Sequence, residues 1–156
     1  MADTVAQTVF EGVGALRDAV GDHLGYSDWL EITQDRIDLF AEATGDHQWI
    51  HVDRVRAAEG PFGAPIAHGY LTLSLSNFFL PQIVEVRGIS AGVNYGADKI
   101  RYPSPVRVGA KVRGGAELLQ VVDVPGGVQT TMRITIEVEG DAKPACVIES
   151  VSRYLV

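Results

Sequence analysis

The stretch TGDHQWIHVD, residues 44 to 53, holds four titratable side chains in ten positions: Asp46, His47, His51 and Asp53. Three readings fit those residue types. His47 and His51 are four apart, so on a continuous helix they share a face and can hold a metal ion. Asp46 and His51 are five apart, about 500° of helical rotation, which on that same helix leaves them roughly 140° apart. They can meet over one reacting water only if the backbone departs from the helix between them. The third reading is a polar helix end with no chemistry. The backbone path decides, and Gly45 bears on it, because a glycine there is well placed to end a helix. Residues 46 to 51 are then expected as a loop or irregular turn. A third metal ligand is not evident, since His23 and His68 stand in quite different settings, and no metal is expected.

The elements around the stretch can be read from periodicity and punctuation. Thr33 reads as the N-cap of a helix with Ile37, Phe40 and Ala41 on its inner face, running to Ala43. A short strand is expected over residues 28 to 32, and a helix over 8 to 20 from the spacing of Val9, Val13, Leu16 and Val20. The GVG inside that segment lacks the third glycine and the preceding strand of a dinucleotide fingerprint. RAAEGPFGAP, residues 56 to 65, reads as loop. The run IAHGYLTLSLSNFFLPQIV that follows shows both periods. Leu71, Leu73 and Leu75 alternate as in a strand, whereas Leu71, Leu75, Phe78 and Phe79 keep helical spacing. Its length favours a helix, and apolar groups nearly all round predict a buried central one ending near Pro81.

The second half changes texture. Residues 89 to 95, 99 to 102, 110 to 124, 128 to 139 and 144 to 156 read as strands, with VPGGV and EGDAK turning the last three. The fold class is α+β: a long antiparallel sheet around one buried central helix, in a single domain over 1–156.

Composition narrows the function classes. At 156 residues the chain can bury a real core, and 46% hydrophobic with 21% charged residues is ordinary for a globular protein. A net charge of −7 argues against a nucleic-acid surface. No run is apolar enough for a membrane span. MADTVAQTVFEG lacks the pattern of a signal peptide, and Cys146 is the only cysteine, so a cytoplasmic protein without an internal disulfide is expected. In KPACVIES that thiol reads as a small packing residue.

ATGDHQWIH at 43 to 51, followed by GPFGAPIAHGYLT at 60 to 72, resembles the MaoC-like, R-specific enoyl-CoA hydratases. Gly45, Asp46 and His51 match that family's Gly-Asp-x-Asn-Pro-x-His motif at the same spacing, and Ala67, His68 and Gly69 match the AHG that opens its central helix. YPSPVRVG resembles the stretch that enters its long strands, so the likeness spans roughly residues 25 to 156. Gln48 and Trp49 replace the motif's Asn and Pro, which removes the proline's rigidity from the loop.

The resemblance implies a hotdog fold, a homodimer, no cofactor, and an acyl-CoA or acyl-carrier-protein thioester as substrate. It implies addition of water to a trans-2-enoyl-CoA to give the (R)-3-hydroxyacyl-CoA, and the reverse dehydration. Asp46 and His51 would then hold one water, with His51 suited to the base because an ordinary imidazole exchanges protons near neutral pH. The N–H groups at the start of the central helix, at Gly69, are candidates for the thioester oxygen; tight packing explains that glycine equally well. Asn94 in VNYG can face the acyl pocket or be an ordinary sheet side chain. His68 reads equally as a structural hydrogen-bonder. Lys99, Arg101, Arg107, Lys111 and Arg113 are the basic residues available to CoA phosphates. A hotdog thioesterase would place a carboxylate on the central helix, and residues 68 to 80 contain none. A non-catalytic acyl-binding subunit remains the other alternative, although such halves tend to lack the Asp–His pair.

Overall fold

The computed structural model describes residues 6–156. Strand β1 (Thr8–Glu11) leads through a 3-10 turn (Val13–Ala19) into β2 (His23–Tyr26) and β3 (Leu30–Glu31). Helices α1 (Gln34–Thr44), α2 (Trp49–Val52) and α3 (Arg54–Ala58) precede α4 (Gly69–Ser74) and α5 (Ser76–Ile83). Strands β4 (Val84–Arg87), β5 (Ala91–Arg101), β6 (Lys111–Val124), β7 (Gly127–Val138) and β8 (Cys146–Leu155) complete the chain. The main sheet runs β2-β6-β7-β8-β5 with every pair antiparallel, and β3 pairs with β6 beyond β2. It wraps around α4–α5, the hotdog arrangement.

The sheet's inner face follows the two-residue pleat. Along β7, Val128, Thr130, Met132, Ile134 and Ile136 are buried while the residues between them are half-exposed. Helices α4 and α5 lay Leu71, Leu75, Phe79 and Ile83, spaced four apart, against this face. Leu75 between them keeps helical angles, so the two form one nearly continuous helix. Gly114 of β6 lets it come close, since a Cβ built there would stand 2.7 Å from the Cβ of Phe79.

Several expectations need correction. The segment 8 to 20 is not a helix. Gly12, at φ +89°, breaks it after β1, and the 3-10 period puts Leu16 and Ala19 inside while Val20 stays exposed. Residues 8 to 11 are extended because they pair in parallel with β4. The two strands expected over 89 to 95 and 99 to 102 are one, β5, kept on β8 by bulges near Tyr95 and Lys99. Residues 54 to 58 are helical, with Asp53 accepting from the Arg56 N–H as N-cap. The central helix runs past Pro81 to Ile83 and is buried on one side only. Tyr70, 72% exposed, lines a groove facing the open edge strand β5, and Phe78 is 49% exposed. No helix among the described residues is long and apolar enough to cross a membrane.

Candidate active site

The path through the ten residues is a helix end, a short loop and a new helical turn. Thr33 accepts from the Arg36 N–H to start α1, and Gly45, at φ +77°, ends it by sending its N–H to Ala41 O. Asp46 then leaves the helical path. Its carboxylate accepts from the Gln48 N–H at 3.3 Å, which tightens the turn before α2. His51 sits on α2, so the irregular stretch is shorter than residues 46 to 51. Two of the titratable side chains face elsewhere: Asp53 caps α3, and His47 is exposed beside Glu42 at 3.8 Å. Neither of them belongs to the group of side chains gathered around His51.

The chain does bring Asp46 to His51, and it adds His68. The Asp46 carboxylate and one ring nitrogen from each histidine lie within 4.8 Å of one another. His51 and His68 are buried, at 6% and 2% exposure. Their rings stack with centroids 3.9 Å apart and planes 23° from parallel. Nearly parallel rings send their in-plane lone pairs along separate lines, whereas a metal needs both to converge at about 2.1 Å. The cluster therefore suits proton chemistry better than metal binding, although it overturns the expectation that His68 lies in a setting unrelated to His51.

Hydrogen bonds fix how each ring is used. A carbonyl oxygen only accepts, so His51 Nδ1, 2.7 Å from Ile66 O, carries the proton and leaves Nε2 with a free lone pair. The His51 backbone carbonyl accepts from Gln34 Nε2 at 2.8 Å, tying α2 to the first turn of α1. The Ile66 N–H donates to Ile50 O at 3.0 Å, which brings the segment carrying His68 alongside α2. Burial pushes the His51 pKa below its ordinary 6.5. The Ile66 bond and Asp46 oppose that shift, and His68 adds to it.

The replacements at 48 and 49 have a structural answer. Trp49 occupies the first residue of α2, a position proline favours. It is held there by packing: its ring lies 2.9 Å from where a Cβ at Gly60 would stand, and the Arg56 guanidinium covers it at 4.3 Å. Contacts thus supply the constraint that a proline ring would supply covalently.

Gly69 opens α4, and a Cβ there would meet the Tyr102 ring at 3.3 Å. Close packing is therefore one reason for the glycine, and the N–H groups of that first turn have no partner within the helix. A cavity of about 290 Å³ runs along Ile66, Ala67, Gly69, Thr72, Tyr102 and Val106, beside the pair's supports. Asn94 is not gathered to the pair within one chain. It lines a separate groove of about 330 Å³ between α4–α5 and β5, with Tyr70, Asn77 and Tyr95. Of the basic residues, Lys99 pairs with Glu149, and Arg113 pairs with Glu137 while stacking on Tyr26 and Trp29. Cys146 is buried with its thiol pushed up to about 11, in keeping with a packing role.

Sequence reasoning missed Gln34, and it left His68 undecided. Nothing in the sequence marks an inward-facing glutamine in a first helical turn. For His68 the signal was its place in AHG, directly before the helix.

Residues 16–140 match the family described as MaoC like domain. The chain is 53% identical over 147 residues to 3-hydroxyacyl-thioester dehydratase Z of Mycobacterium tuberculosis, covering 94% of this chain and 97% of that protein. Among solved structures it resembles the unliganded R-hydratase PhaJ1 of Pseudomonas aeruginosa, with TM-score 0.70 and 23% identity over 87% of this chain and 81% of that one. It also resembles a chain of the truncated HadBC 3R-hydroxyacyl-ACP dehydratase complex of M. tuberculosis, with TM-score 0.72 and 18% identity over 88% of this chain and 97% of that one. At these identities the two structures speak for the fold.

Proposed function

The chain belongs to the MaoC-like dehydratase family, and from that premise we propose that it is an R-specific enoyl-thioester hydratase. In this reading it adds water to a trans-2-enoyl-CoA, or the acyl-carrier-protein equivalent, and catalyses the reverse dehydration. The observation that carries the reading is the Asp46–His51 cluster, in which His51 is buried with its Nδ1 proton committed to Ile66 O.

That arrangement leaves His51 Nε2 as the acceptor for a proton from water, with the Asp46 carboxylate as a second acceptor for the same water. Attack on the β-carbon pushes electron density towards the thioester oxygen, and a proton returns to the α-carbon. With one water held by both residues, addition comes from one face of the alkene. The first-turn N–H groups at Gly69 are the donors proposed for the developing oxyanion. Dehydration passes through the same transition state in reverse, which agrees with a close relative being named a dehydratase.

The direct test follows the enoyl-thioester absorbance as the purified protein meets crotonyl-CoA, with a chiral assay of the product. Loss of absorbance and an (R) product support the reading. No turnover on crotonyl-CoA or on longer enoyl-CoA substrates would remove it.

The pH profile is a second expected result. A base must be unprotonated, so the rate falls as pH drops through the pKa of His51. Burial holds that pKa below the ordinary 6.5, so the acid limb of kcat/KM is expected below pH 6.5. A limb at or above that value would contradict His51 as the buried base.

The reading includes a homodimer built on β5. That strand ends the sheet, its outer edge unpaired among the described residues, and is exposed along nearly its whole length. Beside it lie the exposed rings of Tyr70 and Tyr95, and the groove holding Asn94, the proposed acyl contact. Equilibrium sedimentation is expected to give twice the chain mass. A single-chain mass would favour a heteromeric partner, as in HadBC.

A further inference from the structure

We propose that His68 is a positioning residue for the reaction, acting by holding Asp46 in place through its main chain and by bracing the His51 ring. This rests on the hydratase reading for its functional consequence, and on the geometry of one side chain for its physical basis.

His68 immediately precedes α4, yet its side chain does not cap that helix. It reaches instead across 22 positions, and its Nε2 lies 2.9 Å from the Asp46 carbonyl oxygen. Because that oxygen only accepts, Nε2 carries the proton and Nδ1 has the lone pair. The ring is packed between Phe40, with centroids 4.9 Å apart, and His51 at 3.9 Å. One side chain therefore touches both members of the pair: the backbone of the acid and the ring of the base.

The rest of Asp46 is weakly held. It is exposed, its N–H reaches Thr44 Oγ1 only at 3.4 Å, and its carboxylate serves the turn through Gln48. Among the described residues, the His68 bond is the one hydrogen bond that ties Asp46 to the buried core.

A purely structural explanation of His68 meets a difficulty. Nδ1 is buried and has no hydrogen-bond partner among the described residues. Buried acceptors without partners are rare, and each forfeits hydration for nothing in return. A phenylalanine would fill the same slot between Phe40 and His51 with no orphaned atom. What histidine adds there is the Nε2–H donor to Asp46.

The test compares two substitutions in the full chain. His68→Phe keeps the stack and removes the donor. His68→Gln loses the aromatic ring but places an amide N–H near the position of Nε2–H. Displacing a reacting group by an ångström costs on the order of 100-fold in rate. His68→Phe is therefore expected to lower kcat about 100-fold with KM within about 3-fold of the parent, and His68→Gln to recover to within about 10-fold of the parent. A folded His68→Phe with near-parental kcat would overturn the assignment. So would a His68→Gln protein no faster than His68→Phe.

Nitrogen-15 NMR of the unmodified protein gives a readout independent of whether either variant folds. It is expected to show His68 in the Nε2–H tautomer and His51 in the Nδ1–H tautomer. An Nδ1–H tautomer at His68 overturns the proposal. Inactivity of the parent on every enoyl-thioester would remove the hydratase reading instead, while the tautomers would still report whether His68 holds Asp46.

Discussion

Asp46→Asn and His51→Asn are each expected to lower kcat/KM for crotonyl-CoA by about 100- to 10,000-fold, the range that one positioned acid–base group supplies. The two substitutions remove different things. Asparagine at 46 keeps an oxygen to accept from the Gln48 N–H, so the turn before α2 survives while the negative charge is lost. Asparagine at 51 can offer its amide N–H to Ile66 O, where Nδ1–H now donates, while the Nε2 lone pair disappears. Asp46 is exposed, so its replacement is expected to change stability by less than about 0.5 kcal/mol. His51→Ala, by contrast, opens space beneath His68 and leaves the Ile66 carbonyl without its donor, costing roughly 1 to 3 kcal/mol as well as activity. Because both residues act on one water, the Asp46→Asn/His51→Asn double variant is expected to be little slower than the slower single variant. Thermal unfolding beside steady-state kinetics checks all of this. Folded single variants retaining rates within 10-fold of the parent would return the pair to a polar helix end.

The parts of this site that were legible in the sequence are those fixed by local chemistry. Thr33 and Gly45 bracket α1 because an N-cap oxygen and a left-handed glycine each act within one turn. The β6–β7 and β7–β8 turns were readable for the same reason: Gly126 and Gly140 both take positive φ. What the sequence hid depends on contacts between distant residues. Residues 8 to 11 carry helix-compatible spacing, and only pairing with β4 makes them extended. His51 and His68 are 17 positions apart, and their stack exists because the Ile66 N–H meets Ile50 O and the Ile66 carbonyl meets His51. The exposed flank of the central helix was hidden too, since an apolar residue such as Phe78 has the same identity whether it faces this chain's core or solvent.

The approach of the helix to the sheet sets the frame on which His68 and Gly69 stand, and it turns on Phe79 and Gly114. Phe79 is fully buried, and Phe79→Ala is expected to cost about 3 to 5 kcal/mol through lost burial and the cavity left behind. Gly114→Ala works in the opposite sense, by overfilling. The added methyl would stand 2.7 Å from Phe79 Cβ and 3.1 Å from its ring carbons. A Cβ cannot rotate away as the tip of a long side chain can, so helix and strand must separate, at roughly 1 to 3 kcal/mol. Strand preference alone would predict the opposite sign, since alanine suits a strand better than glycine does. The double variant separates these causes. Alanine at 79 keeps its Cβ, so the closest contact remains, but the vacated ring space gives the helix room to shift. The combined loss is therefore expected to fall short of the sum of the single losses by about 0.5 to 3 kcal/mol, the range for residues in contact. Urea unfolding with unchanged m values would measure it. A neutral or stabilising Gly114→Ala, or strict additivity in the pair, would mean that the close approach at Gly114 is not what sets the helix against the sheet.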